Sequence, residues 1–290
     1  MRWLIGSVWL LVSVLLFLTP LRALFALATH SDDASHILLI PFISGWLFYL
    51  DRAALQRKEQ FDFAAALGFL VPGVALKIFA FYGISLDSST QLTLQILAFL
   101  LLVVAGYIAV LGLDVARRSW FGLAFLLFAV PLPEFMRSRL VYWLQAGSAE
   151  VAGWLFEASG VPVLREGFIF RLPRMSIEVA EECSGIRSSI ALIILAVLVA
   201  HFSFRPFWKK FVFVTAGVLM MLIKNGVRIA TLTLLANYVN PGFLYGRLHH
   251  QGGVVFFIFG LALLVPLYWW LRRGEMSAAG RPASQAQPAV

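Results

Sequence analysis

Long runs of apolar residues constrain the fold of this chain more than any other feature of its sequence. Eight runs, separated by polar breaks, approach the roughly 20 residues that an α-helix needs to cross a bilayer. Only 13% of the residues are charged and 61% are hydrophobic, which excludes a soluble domain, since such domains carry about 25% charge. The sequence therefore predicts an all-α polytopic membrane protein with about eight transmembrane helices, near 3–20, 36–50, 61–82, 92–113, 119–136, 184–204, 211–238 and 251–271.

The charged residues follow a pattern typical of membrane topology rather than of nucleic-acid binding. The chain has 23 Lys and Arg against 15 Asp and Glu, a net charge of +8. Because cytoplasmic loops are enriched in Lys and Arg, the basic clusters predict a common cytoplasmic face, at Arg52 to Lys58, Arg117 and Arg118, Arg205 to Lys210, and Arg272 and Arg273. Residues 137–183 and 239–250 are then expected outside the cell inner (cytoplasmic) membrane. We expect the lipid bilayer as a partner and expect no binding to nucleic acid.

The outer segment before the sixth span has a pattern of its own. Residues 137–158 mix charged, aromatic and aliphatic residues at helical spacing, which predicts a short interfacial helix. Residues 160–179 are rich in β-branched and aromatic residues with Gly and Pro punctuation, which predicts a β-hairpin. We expect residues 1–273 to form a single transmembrane domain and residues 274–290 to form a disordered tail.

Cys183 is the only cysteine of the chain, so an intramolecular disulfide and a cysteine-cage metal site are excluded. It lies at the predicted start of the sixth span, where free backbone N–H groups and the helix dipole favour a thiolate over a thiol. Arg187 follows four residues later, on the same face of the helix. The alternative is a small buried thiol that only fills space.

The seventh span contains three polar residues, Lys224, Asn225 and Arg228, inside an otherwise apolar run. Arg228 lies roughly 18 Å along an ideal helix from the outer end at Asn240, which is too deep for the side chain to reach water easily. An intramembrane cation is costly and marks a functional site by default. The alternative is a packing arginine that binds backbone carbonyls.

His249 and His250 stand at the outer start of the eighth span, next to Gly252 and Gly253. Histidine exchanges protons near neutral pH, and from position alone either could be the reactive one. A thiolate, an imidazole and a guanidinium on one membrane face make an acyl-transfer constellation. In that hypothesis Cys183 attacks a carbonyl, a histidine protonates the leaving amine, and Arg228 stabilises the oxyanion.

Three blocks of this sequence resemble the exosortase/archaeosortase family. The blocks are Val179 to Ser188 (VAEECSGIRS), Asn225 to Ile229 (NGVRI), and His249 followed four residues later by Gly253. Weaker similarities precede them, at Ser35-His36 with Ile40-Pro41, Phe128 to Pro133, and Gly160 to Gly167. The resemblance covers about residues 35–271.

The resemblance implies an integral-membrane cysteine protease or transpeptidase that cleaves C-terminal sorting tails through a Cys thioester. Such a tail has a short motif (Pro-Glu-Pro in PEP-CTERM proteins), a hydrophobic helix and a basic end. Exported proteins that carry such tails in the same membrane are therefore the expected partners. No cofactor and no metal are expected.

The family's catalytic residues correspond to Cys183, Arg228 and His249. His249 is favoured over His250 because the family places its histidine four residues before a glycine, and Gly253 fits. Arg187, Asn225 and His250 are expected to support the site or to bind substrate.

Two other function classes compete with this interpretation. A transporter for an anionic solute would use Lys224, Arg228 and Arg187 as binding charges, and broken helices at matching positions would support it. A purely structural assembly subunit would leave the buried cations unexplained.

Overall fold

The computed structural model describes residues 2–55, 61–82, 86–181, 185–244 and 253–279. It is 83% helical, and the predicted all-α membrane fold is confirmed. Within the described ranges, six helices are long and apolar enough to cross a membrane. Two further helix pairs meet the same condition when each pair is taken together, but the two helices of each pair are sharply bent at the break between them. The candidate spans therefore number six to eight, a range that includes the predicted eight.

The chain divides into two compact units, Met1–Ser138 and Arg139–Val290. A long helix, α9 (Glu134–Ala158), begins in the first unit and continues into the second. The other helices of the first unit are α1 (Arg2–Leu16), α2 (Leu18–His30), α3 (Ile40–Leu50), α4 (Arg52–Leu55), α5 (Phe63–Tyr82), α6 (Ser88–Leu111), α7 (Leu113–Arg118) and α8 (Trp120–Phe125).

Helix α6 has a well-defined start and end that its sequence explains. The Asp87 carboxylate accepts a hydrogen bond from the Thr90 backbone N–H at 2.9 Å, as an N-cap residue does. Gly112 follows the last turn with φ +91°, a conformation that favours glycine and ends the helix. The span between them is one of the six continuous candidates.

Two of the predicted spans are bent rather than straight. The first, near 3–20, bends by 75° between α1 and α2 at Phe17, which is fully buried against Ala98 and Leu102 of α6. The fifth, near 119–136, bends by 88° between a 3₁₀ turn at Leu126–Ala129 and α9. Pro131 and Pro133 lie in this break; proline cannot donate a helix hydrogen bond and disfavours helical geometry in the preceding residue.

The second unit is built around three long helices, α10 (Ile186–Ser203), α11 (Phe207–Tyr238) and α12 (Gly253–Ala279). Their shared core contains fully buried residues such as Leu192, Phe204 and Phe213. Helix α12 continues past Gly274, where the sequence predicts the tail to begin. The rest of the predicted tail, residues 280–290, lies outside the described residues.

A small antiparallel sheet precedes α10. Its strands β1 (Leu164–Glu166), β2 (Ile169–Arg171) and β3 (Ser176–Glu178) pair in sequence order. The predicted hairpin at 160–179 is thus present, and β3 extends it to three strands. The predicted helix at 137–158 is present as part of α9, but the expected short length is wrong, since α9 begins earlier, at Glu134, and has 25 residues. Its interfacial position stays a prediction.

The sheet is fixed to the helices of its own unit by a second apolar cluster. Phe170 of β2 is fully buried and packs edge-on against Phe156 of α9, with ring centroids 5.2 Å apart. Val179, just after β3, and Ile229 of α11 belong to the same cluster. The end of the sheet, and with it the segment that leads to Cys183, is therefore held against α9 and α11.

Candidate active site

The structure describes half of the residues that the sequence predicts for the site. Arg228, Arg187 and Asn225 lie within the described ranges. Cys183, His249 and His250 lie outside them. The residues that flank Cys183 are described on both sides, up to Glu181 and again from Gly185.

The centre of α11 carries two cations and an amide inside an otherwise apolar helix. Lys224 and Asn225 are 2% and 1% exposed, and Arg228 is half-buried. Lys224 and Arg228 are neighbours on the helix surface because they are four residues apart. A cation at the bilayer centre costs at least about 2.5–3.5 kcal/mol, so the burial of Lys224 requires polar partners from other helices.

Lys224 contacts two of the helices that pack beside α11, namely α10 and α12. Its Nζ donates a hydrogen bond to Ser188 Oγ, and Ser188 Oγ donates in turn to the Gly185 carbonyl at 3.0 Å. The aliphatic part of the Lys224 side chain passes over Gly260 of α12, 3.4–3.7 Å from where a Cβ would stand. One buried lysine therefore contacts the helix that follows Cys183 in sequence and the helix that follows His249.

Gly185 forms the turn that starts α10, and its surroundings leave no room for a side chain. Its φ is +68°, in the left-handed region that favours glycine. A Cβ at this position would lie 2.9 Å from Asn225 Oδ1 and 3.6 Å from Lys224 Nζ. Gly185, two residues after Cys183, is thus held directly against the polar centre of α11.

Asn225 and Gly226 join α11 to α9. Asn225 Nδ2 donates a hydrogen bond of 3.0 Å to Ser148 Oγ, and both side chains are buried. A Cβ on Gly226 would lie 2.5 Å from Val151 Cβ and 3.0 Å from the Ser148 carbonyl oxygen. Small residues permit such close helix packing in membranes, and here they bring the amide of Asn225 within reach of α9.

Gln145 of α9 holds the chain on the other side of Cys183. Its Nε2 donates a hydrogen bond of 3.0 Å to the Val179 carbonyl, and both residues are buried. Val179 precedes Cys183 by four positions, and Gly185 follows it by two. The described residues on the two sides of Cys183 are therefore held in different ways, Val179 by a buried hydrogen bond and Gly185 by close packing against α11.

Arg187 occupies the first turn of α10 and is exposed, and its predicted proximity to Cys183 stays a prediction. The residue of this turn that reaches the polar centre of α11 is Ser188, which the sequence interpretation missed. It also missed Gln145 and Ser148. These two stand three residues apart on α9, and a polar pair at that spacing among small residues is the signal that could have revealed them.

The chemical capacity of this cluster is the stabilisation of negative charge. Lys224, Arg228 and the amide of Asn225 supply hydrogen-bond donors at low exposure, where electrostatic interactions are stronger than in water. Across the described ranges, no group of three or more His, Cys, Asp or Glu residues could hold a metal ion. Donors of this kind are the groups that stabilise an anion or a developing oxyanion.

Comparison with known proteins gives one match. The family model described as transmembrane exosortase (Exosortase_EpsH) matches residues 26–266. This range includes all of the second unit's helices up to Pro266 of α12, and it includes Cys183, Arg228 and His249. No curated protein and no solved structure matches the chain.

Proposed function

The chain belongs to the transmembrane exosortase family, and we propose that it is a cysteine-type membrane peptidase or transpeptidase that cleaves C-terminal sorting tails. The observation that carries the proposal is the anchoring of the Cys183 segment. Gln145 holds its upstream end by a hydrogen bond, and Gly185 at its downstream end is packed closely against Lys224 and Asn225. A nucleophile must be positioned to within a fraction of an ångström to react efficiently, and anchors of this kind supply such positioning.

The proposed reaction assigns one role to each of three residues. The Cys183 thiolate attacks the carbonyl carbon of the scissile peptide bond, and Arg228 stabilises the oxyanion that forms. His249 donates a proton to the leaving nitrogen as the C–N bond breaks, which leaves a thioester on Cys183. An acceptor amine or water then attacks the thioester, gives its proton to His249, and releases the Cys183 thiolate.

Covalent geometry is consistent with a role for the cations of α11. Two peptide units span at most about 7 Å, so the position of Gly185 limits how far the Cys183 backbone lies from Lys224. Arg228 stands one helical turn beyond Lys224 in the direction of the outer end of α11. The proposal therefore places Arg228 near the scissile bond and Lys224 beneath the nucleophile segment.

The proposed substrate is an exported protein whose tail helix lies in the same membrane. Its motif would meet the site on the extracytoplasmic side, near the sheet β1–β3, and its basic end would stay in the cytoplasm. The orientation rests on the distribution of Lys and Arg, which places the α10–α11 connection and the end of α12 on the cytoplasmic face.

Transport of an anionic solute is the competing proposal, and the bent helices bear on it. Transporters bind their substrates at discontinuous helices, and the part of the chain that the structure describes has two bent pairs, α1 with α2 and α8 with α9. Neither pair contains Arg187, Lys224 or Arg228, and α11 is continuous through both of its cations. The three cations that the transporter interpretation requires therefore lie outside the bent pairs, which favours catalysis.

The proposal is tested by co-expression with an exported reporter that ends in a Pro-Glu-Pro motif, an apolar helix and a basic end. The wild-type chain should convert the reporter to a shorter product, and the Cys183→Ala variant should leave it intact. Processing by Cys183→Ala would remove the mechanism. Mass spectrometry of the new C-terminus distinguishes a free carboxylate, the product of hydrolysis, from an acyl group joined to an acceptor.

The two histidines form a matched pair for the same assay. His249→Ala should abolish processing, and His250→Ala should retain most of it. The reverse result would transfer the acid role to His250. If both variants retained activity, that result would contradict histidine catalysis in this segment.

The orientation has an independent test because the chain contains a single cysteine. A membrane-impermeant maleimide added to spheroplasts should label Cys183 without disruption of the membrane. Labelling only after the membrane is opened would place the site in the cytoplasm and contradict the proposed topology.

A further inference from the structure

An apolar cavity of about 340 Å³ lies between α10, α11 and α12, away from the cluster around Lys224. Its walls include Val199 of α10, Phe213 of α11, and Leu261 and Val265 of α12. The volume falls at the lower end of the range of small-molecule sites, roughly 300–1,000 Å³. The cavity is thus large enough for an extended hydrocarbon chain.

One end of this cavity is polar. Ser203 and Tyr268 line it there, and Ser203 Oγ lies 3.5 Å from the Tyr268 hydroxyl. Arg272, one turn further along α12, donates a hydrogen bond of 2.7 Å to the same hydroxyl and is exposed. The apolar lining therefore ends at two hydroxyl groups, and the exposed cation Arg272 stands one helical turn beyond them.

The polar end coincides with a concentration of positive charge. The described stretches 203–210 and 268–273 contain no Asp or Glu. They contain five cations, Arg205, Lys209, Lys210, Arg272 and Arg273. Basic pockets between transmembrane helices on the cytoplasmic side bind anionic lipid headgroups.

We propose that this cavity binds one acyl chain of an anionic phospholipid, with the lipid phosphate at Arg272. The apolar walls match the hydrocarbon chain, and the Tyr268 and Arg272 pair matches the headgroup. This inference is independent of the proposed peptidase activity.

A substrate tail helix fits the same cavity poorly. An α-helix with its side chains is about 10–12 Å across, so a cavity of this volume accommodates a single chain of atoms rather than a helix. The basic end of such a tail would also meet the cations at Arg272. Shape and charge both favour the lipid.

The test compares two lipids and two variants of the full-length protein. Purified protein in a neutral detergent is titrated with palmitoyl-oleoyl phosphatidylglycerol or the phosphatidylcholine of the same chains, and native mass spectrometry counts bound lipid. Phosphatidylglycerol should bind more tightly. Arg272→Gln should weaken phosphatidylglycerol binding about fivefold, which corresponds to about 1 kcal/mol per cation. It should weaken phosphatidylcholine binding by a smaller factor, because the choline cation offsets the charge of the phosphate.

Arg273→Gln is the matched control, because residue 273 is equally exposed but points about 100° away around the helix. It should retain wild-type binding. Val199→Phe, which narrows the apolar end, should weaken binding of both lipids.

Equal binding of the two lipids by the wild-type protein would overturn the proposal. So would an equal loss in the Arg272 and Arg273 variants, since that result would indicate general surface charge. Displacement of the bound lipid by a tail-helix peptide would assign the cavity to the substrate instead. If Val199→Phe fails to fold, the comparison of the Arg272 and Arg273 variants still tests the proposal.

Discussion

Replacement of Lys224 by Met tests whether the buried lysine serves the nucleophile. The substitution keeps the apolar stem, which packs beside Gly260, and removes the charge and the hydrogen bond to Ser188. Lys224 Nζ lies 3.6 Å from the Cβ position of Gly185, and two peptide units of about 7 Å at most separate Gly185 from Cys183. A separation of roughly 10 Å between the lysine charge and the thiolate falls within the limit that these lengths set.

This distance gives the size of the expected effect. Two unit charges roughly 10 Å apart interact by about 1.7 kcal/mol at an effective dielectric constant of about 20. Removal of the lysine charge should disfavour the thiolate by that amount, which corresponds to about a twentyfold lower thiolate population and a correspondingly slower reaction of Cys183 at neutral pH. The melting temperature should stay the same or rise, because a buried Met replaces a cation that is costly inside a membrane.

The assay uses the fact that the chain contains one cysteine. Purified protein reacts with iodoacetamide, and the increase in intact mass then reports alkylation of Cys183 alone. Reporter processing is measured in parallel and should fall in proportion to the alkylation rate. Tryptophan fluorescence during heating reports stability without a thiol reagent.

Lys209→Met is the matched control. Lys209 is also buried in α11, and its Nζ donates a hydrogen bond of 2.7 Å to the Leu271 carbonyl. It stands about 22 Å along the helix from Lys224, so its charge should not affect Cys183. Alkylation of Lys224→Met at the wild-type rate would refute the reasoning, and so would an equal slowing in Lys209→Met.

Three further predictions concern the anchors of the fold. Gly226→Ala should lower the free energy of unfolding by about 1–3 kcal/mol, because its Cβ would meet Val151 and Ser148. Gly68→Ala, with open space around the residue, is the control and should be near neutral in the same thermal unfolding assay. Gln145→Leu should reduce reporter processing, because the Val179 carbonyl loses its buried partner; unchanged processing would argue against the upstream anchor. The pKa of Asp87 is lowered from 3.8 to about 2 by hydrogen bonds from Thr90. The Asp87 cap should therefore stabilise α6 fully above about pH 4, and this stabilisation should be lost as the pH falls through 2. Hydrogen exchange at the Thr90 amide, measured against pH, checks this.

The helices could be predicted from the sequence because a run of about 20 apolar residues has few alternatives in a bilayer. The bend at Phe17 could not, since residues 3–20 are apolar on both sides of it. That bend depends on a pocket formed by Ala98 and Leu102 of a distant helix. The bend near Pro131, in contrast, has a local signal. The proline itself predicts a break in the helix, and the prediction of one continuous span over 119–136 did not take it into account.

The sheet and the site show the same division between local and distant information. Alternation of residues over 160–179 indicates strands, but each of the three strands has only three residues, too few for a period of two to show how many strands there are. Lys224 stands out in the sequence because a cation inside a span is rare. Ser188 does not stand out, because a helical serine can satisfy its hydroxyl by bonding to the preceding turn, and only the packing of α10 on α11 identifies its partner.

The two sequence blocks around Cys183 and Arg228 are the two sides of a single contact. Gly185 of the first block packs against Asn225 of the second. Only glycine fits there, because a Cβ would lie too close to Asn225 and the backbone has a positive φ. Ser188 of the first block is the hydrogen-bond partner of Lys224, the residue before the second block. The residues between the predicted catalytic positions thus have a physical task of their own, which is to hold α10 on α11. A substitution at Gly185 should therefore impair catalysis as severely as one at Arg228, although glycine has no side chain that could react.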